Sequence, residues 1–208
     1  MYVANQTSLA IDECQKSFGT QRQEALQPVP KEIEMSGGFT LHGSPHSLPT
    51  YRIALMMRLS RTGFTFRYVS FQRGMHLTPE FRALSRWGQV PVLEHEGRVF
   101  VQSAAILEYL AETLGCFGAA GVEARQHIRE WATLNSLEAH LSGHRFLVGD
   151  GATIADICCY GEVAFARLSN KDLAAWPNIL AWAGRIEALP GFAAPFDLLA
   201  MQDAEIGF

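Results

Sequence analysis

The chain has 208 residues, 48% hydrophobic and 18% charged, with 17 basic against 21 acidic residues and a formal net charge of -4. That balance supplies a sizeable core and excludes disorder over most of the length. It holds no basic block or stripe, which argues against nucleic acid as a partner.

No apolar run reaches the ~18–20 residues of a membrane span. The first residues lack a positively charged stretch leading into an apolar one, so a cytoplasmic protein without membrane contact is expected. Cys14, Cys116, Cys158 and Cys159 form neither a CxxC pair nor a zinc or disulfide spacing. Cys158 and Cys159 lie in a helical pattern, where both serve as small apolar residues.

Residues 1–35 read as an N-terminal extension, with Thr7 or Ser8 capping a weak helix through Leu26 that the Gln-Pro-Val-Pro at 27–30 ends. From Phe39 the pattern sharpens. Residues 39–42 predict a short strand, 43–49 a turn-rich segment, and 51–62 a helix with Ile53, Met56, Met57 and Ser60 on one face and Gly63 as its stop. Residues 64–71 predict a strand. Residues 78–85 predict a short helix with Pro79 in its first turn. Residues 90–95 and 98–102 predict a hairpin around Glu96-Gly97, and Ser103 caps a helix through Leu114 that buries Ile106, Leu107, Leu110 and Leu114. After a glycine-rich linker at 115–121, helices are expected at roughly 122–142, 153–168 and 177–189.

Four local features bear on chemistry. Gln89-Val90-Pro91-Val92 precedes the hairpin; a proline there is either a plain edge-strand proline or a cis residue that turns the Val90 main chain toward a peptide ligand. Gln102-Ser103, at a strand-to-helix junction, is either a simple cap or a carboxylate site. Ser47 precedes a helix, as a capping serine or as a donor to a thiolate. Thr153 and Asp156 make a capping box, assigned to structure alone. His140 and His144 are four apart without a third ligand and read as solvated, and Trp131, Trp176 and Trp182 read as packing anchors.

Taken in order, FTLHGSPHSLPTYRIALMM, TPEFRALSRWGQVPVLEHEGRVFVQSAAILEYLAE and HRFLVGDGATIADICCY resemble the glutathione S-transferase superfamily, bacterial serine type, over about residues 39–196. The resemblance implies α/β plus all-α architecture. A thioredoxin-like glutathione-binding domain at 36–114 would be followed by an all-helical domain at 122–208. It further implies glutathione as co-substrate, a small electrophile as second substrate, and usually a homodimer. Val90 and a cis-Pro91, beside Gln89, would hold the cysteinyl main chain; Gln102 and Ser103 would hold the γ-glutamyl end. Ser47, five residues before Arg52, stands at the thiol-activating position. A serine there implies thiolate stabilisation rather than mixed-disulfide chemistry.

Two departures from the family pattern stand out. Leu77 replaces a common lysine, leaving the adjacent His76 as the candidate for the glycyl carboxylate. One helical stretch at 123–141 stands where two long helices are usual, so the helical domain reads as truncated. The readings are therefore conjugation to an electrophile, glutathione-dependent isomerisation, or a non-catalytic binding module. The shortened domain further predicts apolar exposure on the helices at 103–114 and 123–141.

Overall fold

In the strand Phe39–Gly43 (β1) buried and half-buried residues alternate, as a strand covered on both faces requires. A computed structural model describes residues 38–118 and 134–199 of the chain. The readings of residues 1–35, the Cys14 environment, Trp131 and the first part of the 123–141 helix lie outside these.

β1 pairs in parallel with Thr65–Tyr68 (β2) and antiparallel with Val92–His95 (β3), which pairs antiparallel with Arg98–Val101 (β4). The sheet order is β2-β1-β3-β4. The β3–β4 turn has Glu96 at φ 50° and Gly97 at φ 72°, the doubly left-handed turn whose twist suits a two-residue hairpin.

Between β1 and β2 runs the helix Leu48–Leu59 (α1). It begins three residues before the sequence-based expectation, because Ser47 Oγ accepts the Thr50 N–H at 3.3 Å and Pro49 suits the first turn. It stops before Gly63. Ser60 Oγ bonds back to the Met56 carbonyl at 2.8 Å, and Arg61 takes φ 55°. Nor is it amphipathic: Thr50, Tyr51, Ile53, Ala54, Leu55, Met56, Met57 and Leu59 are all buried, so both sides are covered. The expected strand at 64–71 is confined to Thr65–Tyr68, and that at 90–95 to Val92–His95. Pro79–Leu84 (α2) and Ser103–Leu114 (α3) complete this half, with a 3₁₀ turn at Met75–Leu77.

The helical half contains Leu134–Leu141 (α4), Ile154–Leu168 (α5), Pro177–Glu187 (α6) and Pro195–Leu198 (α7). One apolar core joins the halves, running from Leu41 and Leu55 through Ile106 to Leu137, Ile157 and Trp182. α1 lies against α5, where Arg52 meets Glu162 at 2.7 Å. A Cβ on Gly161 would stand 3.0 Å from Arg52 Nε, so glycine keeps that seam close. α4 is tied to α6 by Glu138, which accepts the Asn178 and Ile179 N–H groups at 2.9 Å each and so supplies the first turn of α6 with its missing acceptor. On α3, Ile106, Leu107 and Leu110 are buried as expected, but Ala111 joins them while Leu114 is half-buried, and Ser103 is the first helical residue with no side-chain cap, Gln102 holding the cap position. The expected apolar exposure is absent from α3 and from the described part of the 123–141 stretch. The large exposed apolar side chains among the described residues include Phe71, Met75, Leu77 and Trp87, and none belongs to α3 or α4.

Asp156 carries more than a capping box. It is wholly buried and accepts four hydrogen bonds at 2.9 Å, from Leu147 N, Thr153 N, Thr153 Oγ1 and Trp182 Nε1. Burial pushes its carboxyl above the usual aspartate range, against the pull of those donors. Asp156→Ala leaves buried N–H groups without an acceptor and is expected to cost on the order of 3–5 kcal/mol. Asp156→Asn, which keeps one oxygen, should cost less. Urea unfolding reads both, and an unchanged midpoint for the alanine variant contradicts the role.

Candidate functional site

The hydroxyl of Ser47 is placed by a close approach. A Cβ on Gly43 would lie 2.2 Å from Thr50 Cγ2, so only glycine lets the first turn of α1 rest on the end of β1. The connecting turn is closed by Ser47 N–H to the Ser44 carbonyl at 3.0 Å. Ser47 Oγ spends a lone pair on Thr50 N–H, which leaves its own proton to donate.

Across from it, the Val90–Pro91 peptide bond is cis. The β3 ladder starts at Val92, opposite Val101, so the Val90 main chain precedes the ladder rather than joining it. Gln102 lies beyond Val101, with Ser103 opening α3. Gln102 takes φ 71° and ψ 113°, a sparsely populated conformation for a side-chain-bearing residue, and costly by ~1–3 kcal/mol. Its Nε2 donates to Gln89 Oε1 at 3.4 Å.

These groups line one cleft of about 550 Å³, a size suited to a small ligand. Ser47, Gln89, Val90, Pro91, Gln102 and Ser103 all face it. His76 does not: it lies behind the wall, its ring edge-on to Phe71 at 4.8 Å, its Nδ1 buried without a partner, and its carbonyl against Gly88. Phe71, Arg86 and Trp87 line the cleft without having been singled out from the sequence. The signal for the last two was their position in the short stretch between a helix and Gln-Val-Pro.

Among the described residues no tyrosine lines the cleft, and Tyr51 is turned away from it. Its hydroxyl donates to the Ala193 carbonyl at 3.1 Å, and burial pushes its pKa far up. Burial likewise pushes the Cys159 thiol up to about 12 and raises that of Cys158, so both remain protonated core residues. His140 and His144 stack at 4.1 Å, and no group of three metal-ligating side chains occurs among the described residues. Phe196 of α7 packs edge-on against His46, the residue before Ser47, with ring centres 5.3 Å apart.

A four-stranded mixed sheet, a cis-proline cleft at its edge and a helical second half define a thioredoxin-like protein with an all-helical C-terminal domain. Family models for the glutathione S-transferase N-terminal and C-terminal domains match residues 46–113 and 123–190. The chain belongs to the glutathione S-transferase superfamily. It is 27% identical to a maleylacetoacetate isomerase of Rhizobium meliloti, in an alignment of 205 positions covering 76% of this chain and 95% of the relative. Identity to glutathione S-transferase F4 of Arabidopsis thaliana is 32% over 110 residues, covering 51% of this chain and 44% of that longer protein. A solved structure of a possible glutathione S-transferase from Rhodopseudomonas palustris superimposes with a TM-score of 0.69 at 29% identity, covering 76% of this chain and 98% of that one.

Strain at Gln102 gives a prediction with two opposite readouts. Gln102→Gly relieves the backbone and should leave stability unchanged or raise it by about 1 kcal/mol. The same variant should weaken binding of a ligand that uses the side chain. A clear loss of thermal stability would show that Gln102 is not strained.

Proposed function

We propose that the cleft binds glutathione in an extended conformation and delivers its thiolate to a small electrophile. The carrying observation is that Ser47, the cis-proline segment and the start of α3 line a single cleft. In this reading the ligand's cysteinyl main chain pairs with Val90, and its γ-glutamyl end meets Gln102 and Ser103 at the start of α3. Ser47 donates to sulfur. A hydroxyl donor interacts more strongly with thiolate than with thiol and so lowers the thiol's pKa.

Glutathione-dependent isomerisation is the second reading, favoured by the relatives named maleylacetoacetate isomerase. It uses the same activated thiolate, in which case the glutathione leaves unchanged. A weakly catalytic or binding-only protein is the third. Its support is that the Rhizobium alignment spans 205 positions but takes in only 76% of this chain's 208 residues, so the relative carries residues inside the aligned span that this chain lacks. We place that gap between the linker and Phe146, where a helical hairpin would wall off an apolar substrate. Among the described residues no helix is long and apolar enough to cross a membrane.

Two measurements test these readings. Ser47→Ala should leave glutathione affinity nearly unchanged and raise the bound thiol's pKa by about one to two units, as loss of a donor worth ~1–3 kcal/mol implies. Thiolate absorbance against pH reads it, and superimposable curves would sink the role of Ser47. Steady-state kinetics with a chloronitrobenzene should give an efficiency well below ~10⁶ M⁻¹s⁻¹, because an open site positions the electrophile poorly. An efficiency at that level would show that a competent second pocket exists.

A further inference from the structure

Arg86 is the only charged side chain among the described residues lining the cleft, and no carboxylate among the described residues pairs with it. Its guanidinium lies over the Trp87 ring, 4.9 Å from the centroid. That cation–π contact uses no N–H···O bond, so the guanidinium keeps donors for a two-pronged bond with a carboxylate.

The backbone beneath Arg86 is fixed. Gly88 N–H donates to the Ser85 carbonyl at 2.7 Å, and Gln89 N–H donates to the Ser85 hydroxyl at 3.0 Å. Gly88, at φ 64°, sits so close to the His76 carbonyl that a Cβ there would lie 2.3 Å from it. The turn is thus pinned from behind by His76, which keeps the imidazole on the far side and presents Arg86 and Trp87 to the cleft.

We infer that Arg86, held by Trp87, anchors the C-terminal carboxylate of the peptide ligand. This rests on the glutathione reading above. With the γ-glutamyl end at Gln102-Ser103 and the cysteinyl residue at Val90, the free glycyl carboxylate falls on the other side of the cis bond, toward the turn at 85–88. Arg86 is the cation available there. It replaces the lysine that Leu77 does not supply, and His76 contributes by bracing the turn rather than by touching the ligand.

The test titrates the full chain calorimetrically with glutathione and with its glycyl monoethyl ester, which lacks that negative charge. The wild-type chain should bind glutathione about five- to twenty-fold more tightly than the ester, a modest ratio because Arg86 is solvent-exposed. Arg86→Gln should bind both at the ester's affinity, Arg86→Lys should restore part of the difference, and His76→Asn should keep the discrimination. A wild-type chain that binds the two equally, or an Arg86→Gln variant that still discriminates, overturns the assignment. If discrimination vanishes in His76→Asn but persists in Arg86→Gln, the carboxylate belongs to His76. Failure of the wild-type chain to bind glutathione at all overturns the underlying reading, and Arg86's role with it.

Discussion

α1 is gripped from two sides without slack. At its start, Thr50 fits against a β1 residue that has no side chain; two residues further on, Arg52 fits against Gly161 of α5 while its guanidinium reaches Glu162. A methyl group at the β1 glycine would collide with Thr50, and one at Gly161 would make Arg52 give way by a few tenths of an ångström, so the helix has little room to translate or rotate. The residue that opens the helix therefore has a fixed position relative to the sheet. The cis bond, the strained Gln102 and the turn at 85–88 all hang from that same sheet. A cleft assembled from four separate connections can be well ordered only because the sheet and α1 share one continuous core.

The helical half serves this grip more than it forms a domain of its own. α5 supplies the far wall of α1, and Asp156 fixes the start of α5 by drawing in Leu147 ahead of it and Trp182 from α6. α4 buries Leu137 and Leu141 in the common core and is further tied to α6 through the carboxylate of Glu138.

Legibility in the sequence followed locality. Strands and caps written in consecutive residues, such as the Glu96-Gly97 turn and the Thr153–Asp156 box, could be read directly, and six of the seven candidate site residues line one cleft. The limits of α1 could not. A helix buried on all sides has no amphipathic stripe, and Ser60 ended it through a side-chain bond that composition does not announce. That Arg86 and not His76 lines the cleft was hidden for a related reason. Both lie next to motif residues in the sequence, but the close contact at Gly88 decides which of them sees the cleft, and that contact joins segments from different connections.

The contacts of the C-terminal segment have a consequence for how the protein is made. Tyr51 gives its hydroxyl to Ala193, and His46 packs on Phe196, so the earliest helix described here is completed by some of the last residues described. At a ribosomal pace of roughly 5–20 residues per second, α5 emerges on the order of ten seconds after α1. For that interval the nascent sheet carries a helix with one greasy face uncovered. A polysome bearing this message thus displays a row of chains that are sticky on the same side, and timing becomes a constraint on yield that the finished molecule no longer shows.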